Sequence, residues 1–171
     1  MTLLTQPLRD EHQDLFPHVQ SLRRAAEAVG SAPAATLRGA VDEAYAFLTE
    51  HLIPHAQAED RALYPAEQRV LGAPEATATM SRDHVEVGRL TAELAALRPA
   101  VMTDQLTESD GHALRRVLYG LYALITVHFA KEEEVYLPLL DARLKPDEAT
   151  RMFTAMEEAA HAAKATHGLA T

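Results

Sequence analysis

Cysteine and tryptophan are absent from this chain of 171 residues, and glycine occurs only seven times. Without cysteine there is no disulfide framework, no thiolate metal site and no thiol nucleophile, so any metal must be held by nitrogen and oxygen ligands. β-Branched residues are sparse, whereas alanine and leucine are abundant, which is typical of helices. The composition therefore predicts one all-α unit, long enough to bury a substantial core.

Long apolar runs and clusters of positive charge are also lacking. No stretch approaches the roughly 20 apolar residues of a membrane span. The N-terminal segment MTLLTQPLRDEH has neither the basic nor the apolar region of a secretory signal. The formal net charge is -9, and the Lys and Arg residues are scattered, which argues against nucleic acid and anionic membrane as partners. We therefore expect a cytoplasmic protein with no nucleic-acid or membrane partner.

Turn-forming residues divide the chain into five helical segments. The predicted helices cover about 7–29, 36–64, 75–97, 109–136 and 146–167. Pro17 and Pro54 fall inside predicted helices, where each removes a backbone hydrogen bond and is expected to bend the helix. The bend at Pro54 is either a tolerated feature of a long helix or a device that helps aim His55.

An internal repeat carries metal-ligand chemistry. The pattern His-x3-Glu-x5-Pro occurs at 55–65 and again at 128–138, each time with a tyrosine close before the proline. An acidic residue followed by histidine occurs at 11–12 and, at nearly the same offset, again at 83–84. Two copies of a helical hairpin, each with two histidines and one glutamate, are what a two-metal site between paired helices requires.

The repeated histidines and glutamates fall on the apolar faces of their predicted helices. Steps of three and four residues connect Val41, Tyr45, Leu48, Leu52, His55, Glu59 and Ala62, and likewise Leu114, Leu118, Leu121, Ile125, His128, Glu132 and Val135. A carboxylate on such a face is costly unless it is paired or bound to metal, and no inward Lys or Arg is evident. A metal-free polar network is the alternative. The candidate metal ligands are His12, His55, Glu59, His84, His128 and Glu132.

Taken together, these elements resemble the hemerythrin-like HHE cation-binding family over roughly residues 5–142. The resemblance implies an up-down-up-down four-helix bundle that holds a non-haem di-iron centre. It implies that Glu59 and Glu132 bridge the two ions and that an oxo or hydroxo group completes the bridge. Iron rests on the resemblance, since nitrogen and oxygen ligands also admit manganese or zinc. By the same analogy, one ion is served by His12 with His55 and the other by His84 with His128.

The chain departs from the oxygen-carrying hemerythrins of this family. Those proteins have a second histidine four residues from the one on the third helix, whereas Met80 and Gly88 occupy the flanking positions here. Two nitrogens, two carboxylate oxygens and one bridge leave an open position on each ion. Open positions on adjacent reduced irons favour reaction with oxygen, peroxide or nitric oxide over simple oxygen carriage.

Several other residues receive weaker assignments. His51, one turn before His55, is open to three interpretations: a ligand, a hydrogen-bond partner of a ligand, or a surface residue. Of the acidic run 132–134, only Glu132 is expected to point inward. The tyrosines at 45, 64, 122 and 136 are either hydrogen-bond donors to the ligands or core residues, and packing in the core is the favoured interpretation.

The C-terminal part of the chain is expected to form an additional helix. We assign residues 1–142 to the four-helix bundle and residues 143–171 to this helix. Its apolar side, with Met152, Met156, Ala159 and Ala163, is expected to pack on the bundle or on a partner, which leaves a homodimer open.

Three functions are consistent with the sequence. The first is a di-iron protein that binds, senses or reacts with oxygen or related small molecules. The second is a di-iron enzyme that decomposes peroxide or reduces nitric oxide; the sequence shows no acid-base pair beyond the ligands and does not decide whether the protein is an enzyme. The third is a helical interaction module with a structural metal.

Overall fold

A computed structural model describes residues 3–168, with side chains up to residue 165. The helices are α1 (Gln6–Ala28), α2 (34–71), α3 (Ala78–Met102), α4 (108–143) and α5 (Pro146–Gly168). Helix α2 is composed of Ala34–Phe47, Leu48–Leu52, Ile53–Ala58, Glu59–Leu63 and Tyr64–Leu71, and α4 of Glu108–Lys131, Glu132–Tyr136 and Leu137–Arg143. Strands are absent from the described residues, so the predicted all-α class is confirmed.

The first four helices form a square bundle. Helix α1 packs against α2 and α4, and α3 packs against the same two helices. The short connections 29–33, 72–77 and 103–107 reverse the chain after each helix, which gives the predicted up-down-up-down order.

Helix α5 lies on α2 and covers the middle of that helix. It buries the predicted stripe of Met152, Met156, Ala159 and Ala163. Residues 169–171, assigned to the C-terminal unit, lie outside the described residues, and the boundary at residue 142 stays a prediction.

Helices α2 and α4 continue past the predicted ends because wider turns accommodate their prolines. The π-helical turns are Leu48–Leu52, Glu59–Leu63 and Glu132–Tyr136. A proline stands two residues after the end of each turn, and the residue just before it donates its backbone N–H five residues back instead of four. The wider turn relieves the clash between a proline ring and the carbonyl four residues earlier. The helices therefore end at Leu71 and Arg143.

Two further expectations from the sequence are wrong. Helix α3 does not stop before Pro99 but continues to Met102, because Val101 packs in the core with 3% exposure. Val135, expected on the inward face of α4, is 50% exposed. The π turn shifts the register of α4 at this point and brings Leu137 inward instead.

Two apolar clusters flank a polar layer inside the protein. The larger cluster includes Leu22, Val41, Leu94, Leu118 and Leu121. The second lies beneath α5 and includes Leu8, Leu63, Met80, Leu137 and Met156. Along each of the four bundle helices, the candidate ligands fall between the two clusters. Burial of each leucine contributes about 1.5–3 kcal/mol, so the helices are held on both sides of the polar layer.

Candidate metal centre

Each helix of the bundle contributes one histidine to the polar layer. These residues are His12 of α1, His55 of α2, His84 of α3 and His128 of α4. The two glutamates, Glu59 and Glu132, are the first residues of the π turns in α2 and α4. No side chain among the six is more than 9% exposed. The structure thus brings all six predicted ligands together in the interior.

Glu59 lies at the centre of this arrangement. Its Oε1 is 3.0 Å from Nε2 of His55 and 3.8 Å from Nε2 of His12. Its Oε2 is 3.3 Å from Nε2 of His84 and 3.9 Å from Nε2 of His128. The carboxylate therefore turns one oxygen toward each pair of histidines.

Glu132 is placed in the same way. Its Oε2 lies 3.3 Å from Nε2 of His12, and its Oε1 lies 3.4 Å from Nε2 of His128. Two groups able to hold an ion result, with Glu59 common to both. The first group is His12, His55, Glu59 and Glu132, and the second is Glu59, His84 and His128. This grouping of the histidines is the one that the family resemblance implies.

Several buried polar atoms of the centre have no hydrogen-bond partner among the described residues. They are Nε2 of His12, both ring nitrogens of His55, both oxygens of Glu59 and Oε2 of Glu132. An unsatisfied buried polar atom costs about 1–3 kcal/mol. Imidazole nitrogens and carboxylate oxygens are donors that iron, manganese and zinc accept. The donor set and its unpaired atoms therefore fit metal ions.

Each histidine directs its other ring nitrogen, Nδ1, at a carboxylate on a neighbouring helix. The distances are 2.8 Å for His12 to Glu133, 3.0 Å for His55 to Glu11, 2.9 Å for His84 to Asp60 and 3.1 Å for His128 to Asp83. The pairs run in one direction around the bundle. The carboxylate on α1 contacts the histidine on α2, and in the same way α2 contacts α3, α3 contacts α4, and α4 contacts α1. Such carboxylates fix the ring orientation of a metal-binding histidine.

The centre holds protons when no metal is bound. Burial alone would lower the pKa of His12 and His128, but Glu132 and Glu59 raise these pKa values to about 9 and about 10. Burial would raise the pKa of Glu59, yet the neighbouring histidines, His55 first, hold it well below its usual value. At neutral pH, the protonated imidazoles of His12 and His128 therefore lie beside the ionised carboxylate of Glu59. Binding of a metal must displace these protons.

Tyr64 belongs to the centre, although the sequence favoured core packing over a hydrogen bond to the ligands for it. Its hydroxyl oxygen lies 3.2 Å from Nε2 of both His84 and His128 and donates a hydrogen bond of 2.9 Å to Oε1 of Glu132. Its ring stacks on that of His84, with the ring centroids 5.4 Å apart. Burial and the charges of Glu59 and Glu132 raise the pKa of Tyr64 far above its usual value. The phenol is therefore protonated in the metal-free protein.

One turn after Tyr64, Glu67 adds a third carboxyl group to the interior. Glu67 is 1% exposed, and neither of its oxygens has a hydrogen-bond partner among the described residues. Burial, together with the charges of Glu132 and Glu59, raises the pKa of Glu67 to about 9. Glu67 is not among the residues proposed from the sequence. The repeat carries a signal for it, because the equivalent position in the second copy is occupied by Leu140.

A small apolar void adjoins the ligands. It has a volume of about 10 Å³, and its walls include Leu52, Val87, Ile125 and Phe129 beside the ligand side chains. The ring of Phe129 also stacks on His12, with the ring centroids 4.3 Å apart. A void of this size holds about one water-sized molecule. The space beside the centre is therefore apolar and about the size of one water molecule.

A wider cleft approaches the centre from the surface between α1, α2 and α5. It has a volume of about 280 Å³, and Glu11 and His55 are among the residues that line it. The His55 side chain is 2% exposed, whereas that of Glu11 is 50% exposed. The cleft therefore brings solvent to Glu11, the outer carboxylate of His55.

The structure also places the residues with weaker assignments. His51 is exposed, and its ring lies parallel to that of His18 at 6.4 Å, so His51 is not part of the centre. Glu133, expected on a solvated face, contacts His12 instead. Asp60 was missed altogether. A signal was available, since an acidic residue directly follows each bridging candidate in both copies of the repeat.

The fold and the centre define a class of protein: an all-α four-helix bundle whose buried histidines and glutamates are able to hold metal. The model of the hemerythrin HHE cation binding domain matches residues 3–140. The chain belongs to this family and is a metal-binding protein. No curated protein and no solved structure gives a significant match. In the described part of the chain, no helix combines the length and the hydropathy that crossing a bilayer requires.

Proposed function

We propose that the centre binds two iron ions and that the protein binds, senses or reacts with oxygen or a related small molecule there. The observation that carries this proposal is the position of the two carboxylates. Glu59 and Glu132 each turn one oxygen toward each pair of histidines, as bridging ligands do. The choice of iron follows from the family, and an oxo or hydroxo group would complete the bridge.

The side chains of the centre would each have a defined role in such a site. His12 and His55 would hold the first ion, and His84 and His128 the second, each aimed by its outer carboxylate. With both carboxylates and a bridge, each ion has five ligands and one position left. Bound iron would supply reversible ligand binding and one-electron redox change at that position.

The surroundings of the ligands support a small apolar molecule as the physiological ligand. Leu52, Ile125 and Phe129 turn apolar side chains toward that side of the centre. The void is about the size of one water molecule, which favours a small uncharged ligand over a larger substrate. A cytoplasmic location and a homodimer stay predictions from the sequence.

Elemental analysis tests this proposal directly. The protein would be purified without chelators or an affinity metal, loaded with ferrous iron without oxygen, and freed of unbound iron. About two irons per folded chain are expected, because the two donor groups share Glu59. No bound metal, or a single zinc that iron does not replace, would contradict the proposal.

The ligand can be tested on the same preparation. Nitric oxide added to the ferrous protein is expected to change its visible and electron paramagnetic resonance spectra, because the proposed ligands leave an open position on the first ion. Zinc-loaded protein, which has no redox chemistry, is the control. Unchanged spectra at two irons per chain would argue for a structural metal.

A further inference from the structure

Among the described residues, Tyr64 supplies the one hydroxyl group in contact with the second pair of histidines. Metal–ligand bonds of about 2.1 Å at octahedral or tetrahedral angles place neighbouring donor atoms about 3.0–3.4 Å apart. The Nε2 atoms of His84 and His128 are 3.0 Å apart, and the Tyr64 oxygen is 3.2 Å from each. Oε1 of Glu132 lies 2.9 Å from that oxygen and 3.4 Å from Nε2 of His128. These are the separations of ligands around a single ion.

The position of Tyr64 is fixed by its surroundings. The residue is 1% exposed and belongs to the apolar cluster beneath α5. Its ring lies nearly parallel to that of His84, at an interplanar angle of 18°. The oxygen therefore reaches the histidine pair without a change of side-chain conformation.

The internal repeat shows that Tyr64 is not simply part of a symmetric core. The equivalent position in the second copy is occupied by Leu137, which is fully buried. The other tyrosine of the repeat, Tyr136, donates its hydroxyl to the backbone oxygen of Ala76. Only the first copy of the repeat thus directs a phenol at the centre.

We propose that Tyr64 is a ligand of the second metal ion, bound through its phenolate oxygen. The assignment rests on the proposed function, because it requires an ion between His84 and His128. When the ion binds, the phenol O–H bond breaks, an oxygen–metal bond forms, and the proton leaves to solvent. No electron is transferred in this step. A bound cation favours the deprotonated form of its ligand, and tyrosinate is a known iron ligand in proteins.

This ligand makes the two ions unequal. With Tyr64 the second ion has six ligands: two imidazoles, two carboxylate oxygens, the bridge and the phenolate. The first ion has Leu137 at the repeat-related position, and leucine offers no donor atom. Exchangeable small molecules therefore bind at the first ion or in the position shared by the two ions.

The experiment uses the full chain loaded with ferrous iron and then oxidised in air. Phenolate bound to ferric iron produces a visible charge-transfer band, and excitation into that band enhances the ring vibrations of the bound tyrosine in the resonance Raman spectrum. We expect both signals in the wild type and in Tyr136→Phe, and neither in Tyr64→Phe. Iron content and circular dichroism are measured on all three proteins.

Each outcome separates this assignment from the proposed function. Two bound irons without a phenolate signal in the wild type would overturn the assignment of Tyr64 and leave the di-iron proposal intact, and this result does not depend on the folding of any variant. A signal that persists in Tyr64→Phe, or that disappears in Tyr136→Phe, would also overturn it. If the wild type binds no iron, both proposals fail.

Discussion

The two histidine pairs of the centre are built from equivalent positions of an internal repeat, yet they differ in what lies beside them. Each pair faces one oxygen of Glu59 and one of Glu132, and each imidazole contacts an outer carboxylate. Beside the second pair stands Tyr64, with Glu67 one turn further along α2. At the equivalent positions of α4 the chain has two buried leucines, at 137 and 140.

The residues that recur in both copies of the repeat and the polar residues found in one copy only therefore have different roles. The repeated residues define a nearly symmetric cage, because two ions sharing two carboxylates need matched donors on both sides. The polar residues found in only one copy add a phenol and a carboxyl group on one side of that cage. The two ions are unequal in our proposal, and the residues without a polar counterpart in the second copy, Tyr64 and Glu67, cause the difference.

The largest effect is expected from the residue that both sides share. Replacing Glu59 by Ala removes one oxygen from each donor group, so we expect the iron content to fall from about two ions per chain to nearly none. Elemental analysis after loading with ferrous iron measures the loss. Glu108→Ala is the matched control, because its side chain is 94% exposed. Retention of one full equivalent in Glu59→Ala would show that the two sites are independent.

A smaller effect, confined to one side, is expected from single histidine substitutions. Both His55→Ala and His84→Ala should lower the iron content to about one ion per chain, since each removes one ligand of one ion. Only His84→Ala should also abolish the phenolate charge-transfer band, because Tyr64 lies next to His84. His112→Ala, whose side chain is 70% exposed, should change neither property. If His55→Ala loses the band while one ion is still bound, Tyr64 binds the first ion and not the second, which contradicts the assignment.

Much of the fold could be predicted because its determinants are periodic. Apolar residues at steps of three and four fix which face of each helix is buried, and short connections fix the order of the helices. The ends of α2 and α4 could not be predicted. A proline usually stops a helix, but the π turns that precede Pro65 and Pro138 let these helices continue.

The six candidate ligands could be proposed from the sequence because an inward histidine or glutamate interrupts an apolar face. The outer carboxylates could not be found by that rule, since Glu11 and Asp60 lie on more exposed faces and reach histidines of neighbouring helices. Glu67 was missed, and Tyr64 was assigned to the core in preference to the ligands, for another reason. A tyrosine on an apolar face packs in the core more often than it binds metal, and only the folded structure shows where its hydroxyl lies.

The smallest predicted effect concerns Glu67 and the stability of the metal-free protein. Its pKa is about 9 in the folded state against a usual value of 4.5, so the folded protein keeps a proton that the unfolded chain has lost. The stabilising contribution of the protonated Glu67 is therefore complete below pH 4.5 and is lost as the pH rises toward about 9. One proton corresponds to a slope of at most about 1.4 kcal/mol per pH unit. The histidines of the centre add their own slope in this range, so the contribution of Glu67 is the difference between wild-type and variant curves from denaturant unfolding at about pH 6 to 8.

Glu67→Leu copies the residue at the repeat-related position and removes the buried carboxyl group. We expect the variant to be more stable than the wild type, by a margin that grows with pH, because the wild type alone loses stability as Glu67 ionises. Glu67→Gln keeps a buried polar group without a charge, so it should remove the pH-dependent difference but gain less stability than the leucine. Parallel stability curves for the wild type and both variants would mean that Glu67 is already ionised in the folded protein. The side of the centre with Tyr64 and Glu67 would then carry one more negative charge than the side with Leu137 and Leu140 when metal binds.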